Sequence, residues 1–196
     1  MKKIFYLLTM LIVFSYACKN PVKSYNEMEE RELSKNIRKD DLFLGLQLGM
    51  SSSAFFARCK ELNGQGIFES GDGGLSVKYE IPKGKMKFDA QVNFYPAFSE
   101  DKIYIMPMVF SYKSWAPWSE EMNAIKLIAD VKKYAESEYG TGFIPVNDPE
   151  KGKFWVKVDG NRRITIKINT ESSVKMTIAD LTVVKAMEAR GKNVAW

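Results

Sequence analysis

Hydrophobic and polar positions alternate along most of this chain, with two different periods. Phe55, Cys59 and Leu62 stand at i, i+4 and i+7. Ser51 and Ser52 offer an N-cap and Asn63-Gly64 a stop, which predicts a helix over 52–63. Leu42 to Gly49, just before it, reads as a short apolar entry strand or turn. Gly64 to Gly74 holds five glycines and reads as a long turn-rich loop. Period two then takes over. Leu75, Val77, Tyr79 and Ile81 share one face, with Ser76, Lys78 and Glu80 on the other. After the turn Pro82-Lys83-Gly84-Lys85, the apolar series Met86, Phe88, Ala90, Val92 and Phe94 alternates with Lys87, Asp89, Gln91 and Asn93. Two such runs predict an antiparallel hairpin with one solvated face. Ile103 to Tyr112 is a third strand, apolar on both faces. Pro107 within it removes a ladder donor and predicts an edge position or a bulge.

The second half repeats the sequence of periods. Trp115-Ala116-Pro117-Trp118 forms a hinge, and Ser119 with Glu120 and Glu121 suits the start of a helix. Ala124, Leu127, Ile128, Val131, Tyr134 and Ala135 make its buried stripe, and Gly140 ends it. A Gly/Pro/Asn loop follows. Phe154, Val156 and Val158 then lead into the turn Asp159-Gly160-Asn161, with Ile164, Ile166 and Ile168 returning and Val174, Met176 and Ile178 forming a last strand. Leu181 to Arg190 predicts a closing helix stopped by Gly191. The order is α-β-β-β, twice. It predicts an α+β fold, an antiparallel sheet of about six strands with two main helices on one face. The domain covers residues 41–196, with halves at 41–114 and 115–196. Ser76, Lys78, Lys87, Asp89, Gln91, Trp155, Lys157, Thr165 and Lys167 fall on the expected open, polar face of that sheet.

The first residues follow another logic. Lys2 and Lys3 precede an apolar run, Ile4 to Phe14, that is far shorter than the roughly 20 residues needed to cross a bilayer. Ser15-Tyr16-Ala17 puts small residues before a cut, and Cys18 follows it. Residues 1–17 therefore read as a signal peptide. The segment resembles the lipobox of bacterial lipoproteins, with Ser15 where that family usually has Leu. The resemblance implies a diacylglyceryl anchor on Cys18; ordinary secretory cleavage, leaving Cys18 unmodified, is the rival reading. In lipoproteins of this type Asp after the cysteine favours the inner membrane, so Lys19 implies sorting to the outer membrane. Residues 18–40 read as the lipid-anchored N-terminus and a flexible tether. Positions 19–40 hold eleven charged side chains among twenty-two, and such a coil spans about 25 Å root-mean-square. Leu33 and Ile37, one helical turn apart, leave room for a frayed helix in the second half.

Composition narrows the chemistry. The chain is 45% hydrophobic and 13% aromatic, as folded chains are. Its net charge is +5, of which Lys2 and Lys3 carry two units, and no dense basic cluster points to nucleic acid. There is no histidine at all. That removes the usual base of Ser and Cys nucleophiles and the commonest ligand of catalytic zinc. Cys59, among Phe55, Phe56 and Leu62, reads as a small buried hydrophobe; an unlipidated Cys18 would leave a disulfide to Cys59 open. Gly71-Asp72-Gly73-Gly74 runs into a strand, whereas phosphate loops run from strand to helix. Asp40-Asp41 and Asn147-Asp148-Pro149-Glu150 lack the spacing of a calcium loop. No catalytic, metal-binding or cofactor-binding residue is assigned, and no cofactor is expected.

The α-β-β-β units, the first led by Leu48-Gly49-Met50-Ser51, resemble those of small outer-membrane assembly lipoproteins and of the tandem modules of beta-lactamase inhibitor proteins. The chain therefore reads as a lipid-anchored, non-enzymatic binding or assembly module of the cell envelope, with a protein or glycan partner. Two alternatives stand beside it: a secreted hydrolase working through a carboxylate pair, and a glycan-binding module. The candidate partner-binding residues are Trp155, Trp115, Trp118 and Tyr112, because large exposed aromatics anchor partners. For Trp115 and Trp118 the competing reading is a hydrophobic staple on the hinge.

Overall fold

The computed structural model describes residues 21–192 and 194. The expected signal peptide over 1–17 and Cys18 lie outside the described residues. The fold is α+β, built on one antiparallel sheet. In chain order the elements are α1 (Pro21–Ser34), α2 (Ser52–Gly64), β1 (Phe68–Ser70), β2 (Val77–Glu80), β3 (Ala90–Phe94), β4 (Ala97–Ser99), β5 (Lys102–Tyr112), α3 (Ala124–Tyr139), β6 (Ile144–Asp148), β7 (Gly152–Asp159), β8 (Arg162–Thr170), β9 (Ser173–Asp180) and α4 (Leu181–Ala189). The strands lie in the order β1-β2-β3-β5-β9-β8-β7-β6, and β4 also pairs with β5. Each half thus lays its strands down from an outer edge toward the β5–β9 seam.

The sheet has nine strands rather than six. The additional ones are β1, inside the glycine-rich loop, the three-residue β4, and β6, inside the Gly/Pro/Asn loop. All three are too short or too interrupted by Gly and Pro to show period two. Pro145 is tolerated in β6 because that strand is an edge. Pro107 lies not on an edge but in β5, in the middle of the sheet. On one side β5 pairs with β3 from Met108 onward and with β4 up to Ile105. The proline therefore stands at the changeover, where that side of the ladder is already interrupted.

Helices cover both faces, not one. α2 and α3 lie on the face formed by Phe94, Met106, Met108, Phe110, Ile164, Ile166, Met176 and Ile178, which they bury with Phe55, Leu62, Leu127 and Val131. Asn123, rather than Ser119, caps α3, accepting the Lys126 N–H at 3.1 Å; Glu120 to Met122 form a separate 3-10 turn. On the other face α1 lies over β6 and β7, and α4 packs against β9. There Tyr25 meets Phe154, Val156, Val158, Val146 and Leu181 in a second core.

Within the expected tether over 18–40, α1 corrects the reading of a flexible chain for the described residues, from 21 onward. Its apolar side is narrow (Val22, Tyr25, Met28, Leu33), and the helix is fixed by charge as much as by packing. The Glu29 side chain is 2% exposed; its carboxylate accepts from Arg163 at 3.0 Å, Lys185 at 2.7 Å and the Tyr25 hydroxyl. Farther on, Ile37 runs across the β7–β8 turn, where its carbonyl accepts the Asn161 N–H at 3.2 Å and Asn161 Oδ1 accepts the Lys39 N–H at 2.6 Å. Gly160 in this turn has φ +60°, and a Cβ there would stand 2.2 Å from the Ile37 carbonyl oxygen. Only glycine fits beneath that crossing. Arg38 then bridges Asp40 and Asp180 at 2.6 and 2.7 Å.

Burial pushes the Glu29 carboxyl upward, but Lys185, Tyr25 and Arg163 outweigh it and hold the group below its ordinary value of 4.5. A depressed folded pKa contributes stability above the unfolded value and loses it as pH falls through the folded one. Glu29→Ala leaves Arg163 buried without its carboxylate and should cost about 3–5 kcal/mol near neutral pH, measured by urea unfolding. The gap from wild type should narrow below pH 4.5, as the native carboxylate protonates.

Candidate binding cleft

β7 and β8 pair only from Trp155–Ile166 to Asp159–Arg162. Beyond Trp155 the strands part: Gly152 to Phe154 pair with β6 alone, and Lys167 to Thr170 with β9 alone. A register shift between Ile168 and Thr170 bends β8 at this point, as bulges do. On the other prong the Asp148 carboxylate accepts the N–H groups of Glu150 and Lys151, both at 2.9 Å, and sets the β6–β7 turn. Those hydrogen bonds, Lys151 first, hold the Asp148 carboxyl below its usual range. The sheet ends here in a fork, and among the described residues its facing strand edges have no strand partner.

Between the prongs is a cleft of about 820 Å³. Ile128 of α3, Phe154, Trp155 and Ile168 form its apolar part, and Lys151, Lys153 and Lys167 its cationic rim. A second lobe of about 300 Å³ shares Lys151, Phe154 and Lys167 and adds Thr165 and Glu150. Lys167 stands directly opposite Lys175 on the neighbouring strand. Burial, and then the charge of Lys167, holds the Lys175 amine below its ordinary range. Like charges directly opposite are unfavourable in a sheet, and the pair adds positive charge to this end of the fork.

Trp155 lies in this cleft but not on the open face expected from alternation. Its partner is Ile166, so it shares the α3 face, while Phe154 and Val156 turn to the face covered by α1. Lys157 turns with it, and Thr165 and Lys167 fall on the opposite side. The indole is half-buried at the rim of the main core, and the Lys132 ammonium lies 5.0 Å from its ring centroid. Tyr112 is buried at 3% exposure; its hydroxyl donates to Asp130 at 2.7 Å, a link that fastens α3 to the end of β5. Its phenol, raised chiefly by burial, stays protonated. Trp115 is half-buried, whereas Trp118 is 82% exposed, which corrects the staple reading for that residue. Cys59 is half-buried and has no disulfide among the described residues, its thiol pushed up to about 11 by burial.

Sequence reading missed Ile168, Lys151 and Lys153 as site residues; Lys167 it placed on the open polar face. The available signal was Lys151-Gly152-Lys153, a basic pair around a glycine at the entrance of a hairpin. Among the described residues no cluster of three or more His, Cys, Asp or Glu is arranged to hold a metal ion, and no helix is long and apolar enough to cross a membrane. No family model, no curated protein and no solved structure matches this chain.

Because Trp155 packs on the core side, Trp155→Ala should lower stability by about 2–3 kcal/mol in chemical denaturation, somewhat less than emptying a fully enclosed aromatic site.

Proposed function

We propose that this protein is a lipid-anchored, non-catalytic binding module of the cell envelope, and that the β7–β8 fork is its binding element. The observation that carries the reading is the fork itself. An apolar cleft, bounded by unpaired strand edges and rimmed by Lys151, Lys153 and Lys167, suits an elongated ligand with an apolar body and an anionic group. Glu150 is the carboxylate among the described lining residues, where a glycoside hydrolase works with a pair. A sugar stacking on Trp155 would meet Lys132 on one side of the ring and the core on the other. Both facts favour binding of an apolar, anionic partner over the hydrolase and glycan readings.

The anchor on Cys18 and, with Lys19 following, sorting to the outer membrane complete the proposal on the strength of the lipobox resemblance. The symmetric strand order about the β5–β9 seam supports the view of two like halves joined edge to edge.

Metabolic labelling with a fatty acid tests the anchor: wild type should incorporate label and Cys18→Ser should not. A photo-crosslinking residue at position 168 should capture an envelope component in intact cells. The same residue at position 37, which is also exposed but lies at the β7–β8 turn, should not. Equal capture at both positions, or none, would remove the fork as the binding element.

A further inference from the structure

The fork shares its end of the molecule with three other features. β5 finishes at Tyr112 beside the start of β9, so the connection carrying Trp118 leads from this end into α3. α3 begins here too, its Ala124 N–H donating at 2.8 Å to the carbonyl of Glu171 in the β8–β9 turn. Trp118, Ile125 and Ile168 are 82%, 71% and 46% exposed, and all three lie at this end. α1 also starts here. Tyr25 stacks edge-on against Phe154 at 6.1 Å, and Glu29, one turn later, reaches Arg163, the partner of Val158. The helix therefore runs alongside β7 with its first residues at the open end of the fork. Cys18 is only three residues before Pro21, so the anchoring point lies within about 11 Å of the start of α1 along a fully extended chain.

We propose that this end of the domain is a bilayer-docking surface, in which Trp118, Ile125 and Ile168 enter the interfacial region of an anionic phospholipid membrane and the cleft opens onto lipid. The proposal deepens the reading of the fork as a binding element and rests on it. An aromatic and two aliphatic side chains held in water by a rigid end, with lysines beside them, have the amphipathic character of a membrane-interface surface. Lys151, Lys153 and Lys167 meet lipid phosphate. The carboxylates at the same end are Glu150 in the second lobe, Asp148 tied into the β6–β7 turn, Glu171 in the β8–β9 turn, and Glu120 and Glu121 in the connection that carries Trp118. The geometry needs only that the chain be held at the membrane ahead of Pro21, whether by lipid on Cys18 or by the apolar run 4–14.

The test uses the full-length protein reconstituted into vesicles of phosphatidylethanolamine and phosphatidylglycerol, with a trace of phospholipid bearing a diazirine in its acyl chain. After illumination, adducts are mapped by mass spectrometry. Adducts on the peptides holding Trp118, Ile125 and Ile168 are expected. The double variant Trp118→Ser, Ile168→Ser should lower the yield at Ile125 about fivefold, since interfacial binding scales with buried apolar area, without moving the thermal unfolding midpoint. Adducts confined to residues 1–20, or equally frequent on Leu75 and Phe56, would overturn the proposal. The intact mass of the same sample reports whether Cys18 carries lipid, so failure of the anchor registers separately from failure of the docking surface.

Discussion

Much of the second half of this molecule depends on the buried carboxylate of Glu29. A charged group taken out of water is costly unless its partners are close and well aimed. Here Arg163, itself 3% exposed, Lys185 and Tyr25 all converge on it. The three come from β8, α4 and α1, so the carboxylate ties the N-terminal helix to the sheet and to the last helix at one point. Apolar contact alone gives α1 a narrow stripe, and a helix with so small an apolar face is weakly oriented. The ion pair supplies the register. It also fixes the direction of α1 along β7, and with it the end of the molecule at which the chain enters the fold.

That docking changes what the sheet is. With α1 in place, β7 buries Phe154, Val156 and Val158 on the side away from α3, while β8 and β9 bury Ile164, Ile166, Met176 and Ile178 beneath α3. The two cores meet across one sheet. The stacked layers hold Val156, Ile164 and Ile166 almost wholly out of water. Beyond Trp155 neither core reaches far enough to keep the strands together. The bulge in β8 and the turn at Asp148 lead the prongs apart, and the cleft is the space that results.

The features of the fork end belong to different parts of the chain: α1, the β5–α3 connection, the first turn of α3, the β6–β7 turn and the end of β8. Their meeting is a consequence of strand direction. In an antiparallel sheet alternate connections lie at the same end, so the starts of β7 and β9 and the ends of β5, β6 and β8 come together there. The opposite end is closed differently, by Ile37 crossing the Gly160-Asn161 turn and by Arg38 reaching Asp180. One end is cross-linked across elements by Ile37 and Arg38, and the other is left as an open cleft with an apolar floor and a lysine rim.

Local periodicity determined a good deal. The helices over 52–64 and 124–139 and the strands holding Tyr79, Val92, Phe110, Val156, Ile166 and Met176 were legible, because each repeats its apolar positions over enough residues to set a period. β1, β4 and β6 were not, because their pairing comes from neighbours rather than from their own pattern. α1 was hidden for a related reason: Glu29 looks like one more solvated charge until Arg163, 134 positions away, is beside it. Trp155 shows the boundary most clearly. Alternation determines that it points away from Phe154, and this holds. It does not determine which side is water, because period two fixes the relation between neighbours and leaves the absolute face to whatever packs on the sheet. Only the tertiary structure decided that, by laying α1 over Phe154, Val156 and Val158 and leaving Trp155 on the side of α3.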